Sequence, residues 1–267
     1  MGNITDFVKG TFDQFGNSAN KAVQLVSQSP QSNDQLWQVI VNVYNVVLPI
    51  GFVLVVAYFY MDMLGKSITL EYMRWENVAK TLFKLVVCKM ILQNVLQLLT
   101  GIFAISSSIV ADIGLSTNIT LNSIDYTPIQ QAWDKLGITN IGGMIMFVMN
   151  LGLLRTIMFI VGIAITVIVY GRMIEIYLYT ALSPIPMAGL VGDNTRSTAL
   201  NFIKSYAAVC LQGVVILVCV ALYSGLLKSA AIGSGETGLV TICMYSCVLL
   251  LILVKSGSWA KKLTGAM

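Results

Sequence analysis

Histidine is absent from this 267-residue chain, and only 10% of its residues are charged. Without histidine the chain lacks the side chain that most often serves as general base or metal ligand near neutral pH. A soluble domain has about a quarter of its residues charged, so this chain has too little charge to cover a water-facing surface. Prolines number only five. No HExxH, P-loop or GxSxG motif occurs, and no apolar run contains paired carboxylates. These absences leave no machinery for the common enzymatic chemistries. The expectation is a non-enzyme that needs no cofactor and no metal.

What the chain does have is apolar sequence. Hydrophobic residues make up 57% of it, and the mean hydropathy is +0.80. That composition predicts an all-α integral membrane protein. The five cysteines, Cys88, Cys210, Cys219, Cys243 and Cys247, all fall in apolar segments. They read as small buried hydrophobes. Cys243 and Cys247 are four apart, but no second pair accompanies them as a metal site would require.

Residues 1–15 carry Asp6, Lys9 and Asp13 with no apolar core between them. They do not read as a cleaved signal peptide, so the first spanning helix is expected to act as its own signal. Residues 3–28 place Ile4, Phe7, Val8, Phe12, Phe15, Ala19, Ala22 and Val26 on one helical face. Asp6, Lys9, Asp13, Asn17 and Asn20 fall on the other. This predicts an amphipathic helix, ended by Ser29-Pro30, that lies on a membrane surface or a partner.

Five spans come next. Trp37–Tyr60 is about 36 Å as helix, enough to cross, with Pro49 expected to kink it. Leu85–Val110 is the second and Ile141–Tyr170 the third. Tyr206–Leu227 is the fourth, and Leu239–Val254 is the shortest at about 24 Å. Between the second and third, Thr127-Pro128 reads as the start of a short helix ending near Leu136. Trp37, Trp75, Trp133 and Trp259 all fall at span ends or in connections, as an aromatic belt requires.

The third apolar run continues to Leu182. As one helix it would be about 63 Å long, twice a bilayer core of about 30 Å. Something must therefore change near Gly171-Arg172, and a crossing back is one option. Cation placement decides whether residues 173–190 cross back. With five spans and the N-terminus outside, Lys66, Arg74, Lys80, Lys84, Arg172, Arg196, Lys204, Lys255, Lys261 and Lys262 lie inside. Only Lys9, Lys21, Lys135 and Lys228 lie outside. A sixth span would leave the larger number outside. The expected layout is thus N-out and C-in: residues 1–30 an outside amphipathic helix, 36–255 a five-helix membrane domain, 256–267 a short basic cytoplasmic tail.

That layout puts the stretch "LYTALSPIPMAGLVGDNTRS", residues 178–197, at the inner face. Two prolines two apart should end the third helix. Each should push its predecessor toward extended backbone. Ser183, Pro184 and Pro186 are therefore read as a fixed inner-face elbow, with Gly189 and Gly192 leaving room for close packing. Irregular backbone there must be buried in protein or line a wet cavity.

The remaining candidates are polar residues inside spans. Arg155 falls near mid-bilayer, where a charge needs a partner or a cavity. It reads as a pore-lining cation, a lipid-phosphate contact, an intersubunit pair, or a structural residue bonded to carbonyls or to Asn150. Lys89, Gln93 and Gln97 form one stripe on the second span. Lys89 can snorkel to the inner face. Gln38, Asn42 and Asn45 form another stripe on the first span. Such stripes either glue helices together or line a conduit. The inner-face cations set topology or dock anionic phospholipid head groups and acidic partners.

The run ending in "YTALSPIPMAGL", then "DNTRSTALNFIKSYAAVCLQGVVILVCVALY", resembles the TrbL-like polytopic inner-membrane subunits of type IV secretion and conjugation systems. Ala181, Ser183, Pro184, Pro186, Thr195 and Thr198 occupy the family's small-residue proline segment and its threonine-containing turn. The resemblance implies a non-enzymatic channel or scaffold subunit in the bacterial inner membrane. It implies a homo-oligomer, with a pentamer as the candidate stoichiometry. The implied partners are a pilin-like or surface subunit outside, bitopic membrane subunits, and a cytosolic ATPase. The transported substrate would be relaxase-linked DNA or a protein. The rival reading is a secondary transporter or small-molecule channel, but no internal repeat is visible and intramembrane acids for ion coupling are missing.

Overall fold

The computed structural model of the chain describes residues 4–68, 75–116, 131, 133, 134, 141–231 and 235–266. Every regular element among them is helical. The main helices are α1 (Ile4–Ser27), α2 (Asp34–Ile68), α3 (Trp75–Gln93), α4 (Val95–Ser116), α5 (Ile141–Leu182), α6 (Pro184–Met187), α7 (Arg196–Ala231) and α8 (Gly235–Thr264). Five stretches are long and apolar enough to cross a membrane: Asp34–Ser67, Val95–Ile113, Ile141–Leu182, Arg196–Leu227 and Val240–Thr264. The number agrees with the five spans read from the sequence. The short helix expected at Thr127-Pro128 lies largely outside the described residues.

The helices outrun the expected spans. The largest difference is in the third, whose expected span ends at Tyr170. α5 continues unbroken for 42 residues to Leu182. No proline interrupts the run before Pro184, so nothing local stops helix propagation. Pro49 sits inside α2 without ending it. The second span is instead divided at Asn94. The Asn94 N–H is shared between the carbonyls of Ile91 (3.1 Å) and Met90 (3.3 Å), and its side-chain amide also donates to Met90 at 2.8 Å. This is a local tightening of the helix at a residue that competes for backbone partners.

The chain divides into two compact units. The first comprises Met1–Ser27, Ser108–Gly171 and Gly213–Ser256. α1 buries Val8, Phe12, Phe15, Ala19, Ala22 and Val26 in a core shared with Phe147, Leu154, Met158, Val161 and Ile165 of α5. The same core takes in Ile216, Tyr223 and Leu227 of α7 and Leu249 and Leu253 of α8. From Val8 to Val26 the apolar stripe seen in the sequence is buried, while Phe7 is exposed. Small side chains allow the approach: a Cβ on Gly162 would lie 3.2 Å from Ser18 Oγ. A polar knot crosses this core, where the Tyr223 hydroxyl lies 2.6 Å from Ser246 Oγ.

The second unit comprises Gln28–Ser107, Arg172–Gln212 and Gly257–Met267. Tyr44, Val55, Cys88, Leu92 and Val95 pack against Met187, Ala188 and Val191. Leu99 and Phe103 pack with Ile176, Tyr206 and Val209. Here α5 and α7 run antiparallel: Arg172 reaches Val209 and Cys210, while Tyr179 meets Phe202 and Tyr206 edge to face. The chain therefore reverses between Leu182 and Arg196.

Candidate functional site

The reversal is built from the Pro-Ile-Pro segment, and its geometry corrects the expected extended elbow. Ser183 and Ala188 both have right-handed helical backbone, and residues 184–187 form a turn of helix. A 3-10 turn comes next, over Ala188–Leu190. Pro184 and Pro186 fall in the first turn of that new helix, where the N–H groups they lack have no partner to bond. The break falls on α5 instead. Pro184 cannot donate to the Thr180 carbonyl, and Ser183 Oγ donates to it at 2.9 Å. The Met187 N–H then bonds the Ser183 carbonyl at 3.2 Å. The elbow is a helical corner with its broken hydrogen bond repaired by one serine.

Tight packing holds this corner. A Cβ on Gly51 of α2 would lie 2.8 Å from the Pro184 Cβ and 3.0 Å from its carbonyl oxygen. Glycine at 189 likewise lets the chain fold onto Thr195, whose Oγ1 donates to the Gly189 carbonyl at 2.8 Å. Beyond the corner sits a charged clasp. The Asp193 carboxylate pairs with Lys66 of α2 at 2.8 Å and with Lys84 of α3. Lys66 also pairs with Asp62 at 2.6 Å, and Asp62 Oδ1 accepts the Asp193 N–H at 3.2 Å. Hydrogen bonds from Lys66 and then Lys84 hold the Asp193 carboxyl below its ordinary range, against an opposing effect of burial.

Sequence reasoning missed two features here. Asp193 was visible only as part of a polar turn, because its partners lie more than a hundred positions away. Arg172 was counted as an inner-face cation. The structure buries it to 2% exposure within the second unit. Its guanidinium donates to the carbonyls of Val209 (2.9 Å) and Cys210 (3.1 Å) and lies 5.8 Å from the Phe103 ring centre. Ser106 Oγ donates to the same Cys210 carbonyl at 2.6 Å.

The polar span residues are divided between the two units. Arg155 and Asn150 lie on the first-unit part of α5; Arg155 is exposed and Asn150 half-buried. The Arg155 guanidinium lies 4.9 Å from the Phe7 ring centre. Among the described residues no carboxylate pairs with it. In the second unit, Gln38, Asn42 and Asn45 of α2 are exposed, as are Lys89 and Gln93 of α3 and Gln97 of α4. Cys247 is exposed, while the other four cysteines are buried. Among the described residues no three of Cys, Asp and Glu gather as a metal set.

Comparison with known families finds one described as TrbL/VirB6 plasmid conjugal transfer like protein, matching residues 16–184. The match takes in the second half of α1 and all of α2, α3, α4 and α5, and ends at the first proline of the elbow. No curated protein and no solved structure matches the chain.

Proposed function

The chain belongs to the TrbL/VirB6 plasmid conjugal transfer-like family, and we propose that it is a channel or scaffold subunit of a type IV secretion apparatus, working as a homo-oligomer. Family and helices together make it a multi-pass bacterial membrane protein of a conjugation system. The finer reading places it in the cytoplasmic membrane, with its basic C-terminal tail inside and without catalysis of its own. Its partners would be a surface subunit outside, bitopic subunits within the membrane and an ATPase inside. Relaxase-linked DNA or a protein would be the substrate.

One observation carries the oligomer: the outward-facing polar stripes. Gln38, Asn42 and Asn45 on α2, and Lys89, Gln93 and Gln97 on α3 and α4, are exposed beside apolar side chains such as Val39, Val46, Val86, Met90 and Leu98. Polar groups facing hydrocarbon are costly, and neighbouring protein relieves that cost. The elbow then serves the inner rim, where the lysine–aspartate clasp, held in place by the buried helical corner, would give a cytosolic partner a fixed surface.

Two measurements on the full-length protein test this. Deleting the gene should abolish conjugative transfer and complementation should restore it. The protein extracted in native-lipid nanodiscs should have the mass of several chains. Transfer at normal frequency without the gene, or a uniform single-chain mass, would overturn the proposal.

A further inference from the structure

α1 has one face buried and one face exposed, and the exposed face is polar along its described length. Asp6, Lys9, Asp13, Gln14, Asn17, Asn20, Lys21 and Gln24 are all exposed. Among the described side chains of α1, Phe7, at 40%, is the one large apolar group that shows to the outside. From Asp6 to Gln24 this arc is about 27 Å long, close to the thickness of a bilayer core.

The location of the arc makes it unusual. α1 neighbours a helix that is long and apolar enough to cross a membrane. It packs along the span helix α5, with Phe7 beside Arg155 and Ser18 beside Gly162. The neighbouring outward face of that same stretch of α5 is Ile145, Met149, Leu153, Ile160 and Val167, all exposed and all suited to lipid. One compact unit therefore presents two outward faces of opposite polarity over the same length. Among the described residues, Asp6, Lys9, Asp13, Lys21 and Arg155 have no ion-pair partner. Five unpaired charges against hydrocarbon would each cost several kcal/mol, more than helix packing within one chain returns.

We infer that the polar face of α1, with Arg155 at its edge, lines a water-filled path at membrane depth, while the apolar face of α5 meets lipid. This deepens the channel reading and rests on it, because a facing wall, from copies of the chain or from another subunit of the apparatus, must enclose the water. The lining has a character of its own. Asp6 and Asp13 offset Lys9 and Lys21, and amides fill the positions between. Such a wall wets a path without a net charge that would hold a passing polyanion or polycation. Arg155 alone biases it toward anions.

Spin labels test the inference on full-length protein whose native cysteines are replaced and which still supports transfer. Single labels are placed at Asp13, Asn17 and Asn20 on α1, and at Leu153, Ile160 and Val167 on α5. The protein is reconstituted in vesicles of bacterial phospholipid. Collisions are measured with a nickel chelate that stays in water and with oxygen that concentrates in lipid. The expected result is that nickel dominates at all three α1 positions and oxygen at all three α5 positions. Oxygen dominating on α1, or neither reagent reaching it, would overturn the wet face. Nickel dominating on α5 would overturn it too, by placing this unit outside the bilayer. Particle mass in the same preparation separates the two claims: a single-chain mass with the expected label pattern would end the homo-oligomer reading and leave the wet face standing.

Discussion

Gly51 and Pro184 touch so closely that a side chain on Gly51 would come within 2.8 Å of the proline ring. The contact sets how near the helical corner lies to α2, and everything beyond it, including the Asp193 clasp, inherits that position. Gly51→Ala should therefore act as overpacking and cost about 1–3 kcal/mol. Gly101→Ala, where an added Cβ meets nothing within 4 Å, should be neutral or stabilising by up to about 1 kcal/mol. Thermal unfolding in detergent compares them. Equal melting temperatures for the two variants would mean the corner is not held by this contact.

The clasp predicts a pH dependence. Lys66 and Lys84 lower the Asp193 carboxyl pKa in the folded chain. A carboxyl with a lowered folded pKa stabilises the fold above its unfolded pKa of about 3.9. That stabilisation is lost as pH falls through the folded value. Asp193 is half-exposed, so the contribution is small. Asp193→Asn should remove this part of the acid sensitivity below about pH 4 and leave the rest of the pH profile in place. Melting curves across that range check it.

Two arginines on α5 should behave in opposite ways. Arg172 fills buried space and bonds two helix carbonyls. Arg172→Ala should destabilise by about 2–5 kcal/mol, as large-to-small core changes do. Arg155 is exposed and stacks only on Phe7. Arg155→Ala should shift stability by less than about 0.5 kcal/mol while lowering transfer frequency. Unfolding and mating assays on both variants would show the split.

The prolines test the corner itself. Alanine at both 184 and 186 restores the N–H that the Thr180 carbonyl lacks, so α5 can extend straight past Leu182. Membrane insertion should stay normal, because the spans are unchanged. Conjugative transfer should fall sharply. Normal transfer by a well-inserted double variant would reduce the corner to a connector.

The sequence by itself determined the class, the number of spans and the apolar stripe of α1. Each of these is a short-range property. Hydropathy sums over about twenty residues, and helical periodicity repeats every three or four. Both can be read without knowing what lies opposite. The sequence also located the elbow, because proline acts on its own carbonyl ladder. It misjudged the elbow's backbone, since two prolines can open a helix as well as close one. The surroundings of the pair select between these, and here Gly51 and Ser183 do so. The tertiary structure alone decided the fate of the charges. Nothing near Asp193 in the chain announces Lys66 and Lys84, and nothing near Arg172 announces the carbonyls of Val209 and Cys210. Arg172 read as a span-end cation because hydropathy assigns every charge to water. A guanidinium can instead be buried wherever packed helices offer it carbonyl oxygens, and only the register of α5 against α7 puts them there.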